Sequence, residues 1–88
     1  MITFEYLCDA DPQLNALRQE ALDIASRVGD DLEAARDHWY GNCQRWGLKA
    51  RMVHLTGCYA KVPEMAHPLA YNVAYRGLWQ AMTGRELN

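Results

Sequence analysis

Between Pro12 and Val28 the apolar residues Leu14, Leu17, Ala21, Ile24 and Val28 recur at steps of three and four. That period places them on one face of a helix, with the polar residues between them facing water. Asp11-Pro12 supplies an N-cap followed by proline at the first helical position, and Gly29 supplies a stop. A helix over residues 12–28 is therefore predicted. The pattern restarts after Asp30 and Asp31 with Leu32, Ala35, Trp39, Cys43 (or Asn42) and Trp46, and ends at Gly47. Glu33 in its first turn favours the positive helix end. A link of two or three residues between these helices predicts an antiparallel hairpin. Gly41 lies within the second helix and weakens it by up to about 1 kcal/mol relative to Ala, so it is read as a place where another backbone approaches closely.

Residues 48–62, LKARMVHLTGCYAKV, fit two patterns. As a helix, Leu48, Met52, Leu55, Tyr59 and Val62 form a continuous stripe. As a hairpin, Arg51–Leu55 and Cys58–Val62 flank a Thr56-Gly57 turn. Adjacent Met52 and Val53 spoil the strand alternation, which favours the helix. Pro63 and Pro68 bound a connector, and a last helix is predicted from near Pro68 to about Met82, with Gly84 after it. At the other end, Ile2-Thr3-Phe4-Glu5-Tyr6 alternates like a strand or an extended arm. The expected fold is mostly α, a compact three- to four-helix bundle with a short extended N-terminal arm. The alternative is α+β, with residues 2–7 and 48–62 in a small antiparallel sheet against three helices.

Composition narrows the function. Eighty-eight residues suit a single small helical domain, 1–88, with a thin core. Half the chain is apolar and 23% is charged, too hydrophobic for a disordered chain. No apolar run reaches the roughly 18–20 residues that span a bilayer, so no membrane partner is expected. The first residues have neither a basic stretch nor a long apolar one, unlike a secretory signal. Three widely spaced cysteines, Cys8, Cys43 and Cys58, do not resemble a disulfide framework, and a cytoplasmic location follows as the expectation. The net charge of −2 hides a division: residues 1–37 carry nine carboxylates against three Arg, and residues 38–88 carry six Lys/Arg against two Glu. Such segregation either docks helices on one another or marks a charged contact surface.

Catalytic signatures are scarce. His38-x4-Cys43 followed by His54-x3-Cys58 offers zinc-type ligands, but a step of five places His38 and Cys43 about 140° apart on a helix, and no tight Cys-Cys pair accompanies them. Nothing selects a Cys/His nucleophile pair, and no phosphate loop or Ser-centred elbow is present. No enzyme, cofactor or metal is expected. Arg45, Lys49, Arg51 and Lys61 lie in a segment without carboxylates, a modest footprint for phosphate. The last helix has a small-residue face (Ala66, Ala70, Ala74, Gly77, Ala81) and an aromatic one (Tyr71, Tyr75, Leu78, Trp79, Met82) edged by Arg76. Either both are core, or the aromatic one anchors a partner. Its run Gly77-Leu78-Trp79-Gln80-Ala81-Met82 resembles the Gly-Trp segment of small ribosome-modulating proteins over six residues. The basic composition of that group is absent, and the resemblance implies no property here.

These observations lead to an expected non-enzymatic protein-binding module that docks on a protein or nucleoprotein complex. A phage-encoded inhibitor of a host or defence complex, or an adaptor, acting by steric or electrostatic occlusion, would fit such a chain. Candidate contact residues are Arg45, Lys49, Arg51, Lys61, Tyr71, Tyr75, Arg76 and Trp79. The alternative is a small nucleic-acid-binding protein using the basic 45–61 segment, and a second copy of the chain is a further candidate partner.

Overall fold

A computed structural model describes residues 3–53, 56 and 67–86, with the backbone alone described at Cys43, Gln44, Val53 and His67. The described chain is mostly α, and no strand or sheet forms among the described residues. Five helices follow in order: α1 (Phe4–Ala10), α2 (Pro12–Val28), α3 (Leu32–Trp46), α4 (Leu48–Val53) and α5 (His67–Thr83).

Local chemistry sets the boundaries. Thr3 is extended and its side chain accepts from the Tyr6 N–H, which starts α1. Asp11 closes α1 through its N–H to the Leu7 carbonyl and opens α2 by accepting from the Gln13 N–H, with Pro12 next. Gly29 ends α2 at φ 59°, in the left-handed region that favours glycine. The Asp31 carboxylate then accepts from the Ala34 N–H and opens α3. Gly47, at φ 58°, breaks the chain between α3 and α4.

The expected N-terminal arm is instead a helix. Phe4, Leu7 and Cys8 are spaced for one helical face, and Leu7 and Cys8 are buried against the other helices. With the Thr3 cap, that burial outweighs the short alternation of Ile2, Phe4 and Tyr6. Residues 2–7 and 48–62 do not form the alternative sheet where they are described: Phe4–Leu7 and Leu48–Val53 are helical. Apart from Thr56, the rest of residues 48–62 lies outside the described residues, and with it Gly57 of the turn in the hairpin reading.

The central element is α5, which packs against each of α1 to α4. Ala70, Ala74, Leu78 and Met82, at four-residue steps, are fully buried, and Trp79 joins them. From the other helices come Leu7, Leu14, Ala21, Ile24, Trp39, Trp46, Leu48 and Met52. Gly77 meets α1: a Cβ there would overlap the Phe4 ring, so a larger residue fits only if that ring moves. The small and the aromatic faces of α5 thus both serve the core in large part. No described helix is long and apolar enough to cross a membrane.

Candidate partner-binding surface

The basic residues of the 45–61 segment are placed differently from one another. Arg45 projects from the end of α3 and pairs with the Glu20 carboxylate on α2. Glu20 also accepts from the Trp46 indole Nε1 at 3.3 Å, so one carboxylate fastens two successive residues of α3. Arg51 on α4 donates through Nη1 to Asp11 Oδ2 at 3.1 Å and to Gln13 Oε1 at 2.5 Å. Both guanidiniums therefore join the basic part of the chain to the acidic part within one molecule. Lys49 is exposed, and Lys61 lies outside the described residues.

The aromatic candidates on α5 are tied into the core. Trp79 is buried. Tyr75 is half-buried, and its hydroxyl accepts from the Trp39 indole Nε1 at 3.0 Å. Trp39 lies edge-on to Tyr75, Trp79 and Trp46, with centroids 4.6, 5.2 and 5.8 Å away. Such T-shaped contacts place the positive edge of one ring on the negative face of the next. Tyr71, half-buried, stacks on Tyr75 at 5.8 Å. Arg76 is exposed and donates from Nε to Asn72 Oδ1, one turn back on the same helix. The candidates thus divide into a cluster joining α3 to α5 (Tyr71, Tyr75, Trp79), two interhelix ion pairs (Arg45, Arg51) and two exposed cations on separate helices (Lys49, Arg76).

A different surface is open, and sequence reasoning passed over it. At about 100° per residue, Asp37 lies on the side of α3 opposite Trp39, flanked by Glu33, Ala34, Tyr40 and Gly41. Glu33, Asp37 and Gly41 are exposed, and Tyr40 is 73% exposed, the most exposed of the large hydrophobic side chains described. Ala34, Asp37, His38, Gly41 and Asn42 line a shallow groove of about 380 Å³. Among the described residues no ion pair engages Glu33 or Asp37. Asp30, Asp31, Glu33 and Asp37 set four carboxylates against Arg36 alone in this stretch. The signal was present in the sequence as the complement of the inward stripe Leu32, Ala35, Trp39 and Trp46. The expectation of a close backbone approach at Gly41 is not met among the described residues: nothing lies within 4 Å of where its Cβ would be.

The remaining titratable groups among the described residues offer no assembled centre. Cys8 is buried in the core. Burial pushes its thiol up, and a hydrogen bond and the charge of Arg18 oppose that shift only in part. A neutral thiol in this position is a poor nucleophile. His38 is exposed. The Cys43 side chain, His54 and Cys58 lie outside what is described, and no group of three potential metal ligands occurs among the described residues. No family model, curated protein or solved structure matches the chain.

Proposed function

We propose that this chain is a non-enzymatic protein-binding module whose contact surface is the outer face of α3 rather than the basic 45–61 segment. One contrast supports this reading. The Arg45 and Arg51 guanidiniums are engaged by Glu20 and Asp11, whereas the Glu33 and Asp37 carboxylates stand open beside the exposed Tyr40. A tyrosine ring gives large contact area at low entropic cost, and neighbouring carboxylates select a basic counterpart and speed its encounter. The mode of action is occlusion: an inhibitor or adaptor of this kind covers a basic surface on a protein and keeps other ligands away.

The test is capture from a source-cell lysate, using the tagged chain beside its Glu33→Lys/Asp37→Lys and Lys49→Ala/Arg76→Ala variants. One protein should be retained by the parent chain and by the second variant, lost from the first, and released as salt rises. Retention unaffected by the α3 reversal would overturn the proposal. So would recovery of nucleic acid that depends on Lys49, which is the signature of the competing reading.

A further inference from the structure

We draw no further inference here: the strongest candidate, the side-chain cluster where Arg51 of α4 meets Asp11 and Gln13 at the start of α2, has a sheltered Arg51 Nε with no hydrogen-bond partner among the described residues, but Asp11 and Gln13 already hold that guanidinium through Nη1, and nothing among the described residues points to a ligand there.

Discussion

Arg51 on α4 places its Nη1 3.1 Å from Oδ2 of Asp11, the residue that closes α1 and opens α2. The Asp11 side chain is 9% exposed and that of Arg51 25%, so this is a partly sheltered pair holding three helices at one joint. Removing the cation leaves a largely buried carboxylate with the Gln13 N–H but without its counter-charge. Arg51→Met should therefore lower unfolding free energy by about 1–3 kcal/mol, read by urea denaturation. Lys49→Met, two residues away and exposed, should fall within about 0.5 kcal/mol of the parent. Equal effects from the two substitutions would show that Arg51 acts as a surface cation and that the basic stripe is available after all.

The hydrogen bond from Trp39 Nε1 to the Tyr75 hydroxyl joins α3 to α5 at the centre of the aromatic cluster. Tyr75→Phe keeps the ring and its edge-on contact but removes the acceptor. The expected loss is about 1–2 kcal/mol, the penalty for a sheltered donor without a partner. Nuclear magnetic resonance should show faster solvent exchange of the Trp39 indole N–H. An unchanged exchange rate would mean that the hydroxyl contributes nothing to the docking of these helices.

Two glycines inside helices should respond to Ala with opposite signs. Gly41→Ala fills open space and should stabilise the chain by up to about 1 kcal/mol. Gly77→Ala drives a methyl group into the Phe4 ring and should destabilise by about 1–3 kcal/mol despite the better helix propensity. With Phe4→Ala already present, the Gly77→Ala penalty should vanish. That non-additivity, measured in a double-mutant cycle, ties the effect to the α1–α5 contact rather than to α5 alone.

The legible parts of the fold were those with local causes. The bounds of α2 follow from Asp11-Pro12 and Gly29, each acting within a residue or two of the helix end. The inward stripe of α3 follows from spacing alone, and Ala35, Trp39 and Trp46 are buried as that spacing implies. The start of α1 was harder, because Ile2, Phe4 and Tyr6 alternate while Phe4, Leu7 and Cys8 follow the helical period. Contact with α2 and α5 favours the second pattern. The contact residues were least legible. Glu20 and Arg45 are 25 positions apart and Asp11 and Arg51 are 40 apart, so no local pattern pairs them. Read along the chain, the two arginines belong to a free basic segment; only the folded arrangement supplies their carboxylates.

Cys8 makes stability depend on alkaline pH, and the sign follows from the direction of its shift. Its thiol is raised from an ordinary 9.0, chiefly because burial disfavours the thiolate, with Asp9 and Asp11 adding repulsion and Arg18 working against both. The folded chain therefore holds this proton more tightly than the unfolded chain does. The resulting stability is fully present below about pH 9 and is lost as pH rises through the higher folded value. The informative quantity is the difference between the parent and Cys8→Ala. At pH 7 Cys8→Ala should be the less stable of the two, through lost packing in a core position that is 3% exposed. Between pH 9 and 11 that difference should shrink, because only the parent carries the thiol that must ionise. Urea unfolding at pH 7, 9, 10 and 11 measures it directly. A difference that stays constant would mean that the thiolate is as well accommodated in the folded core as in water.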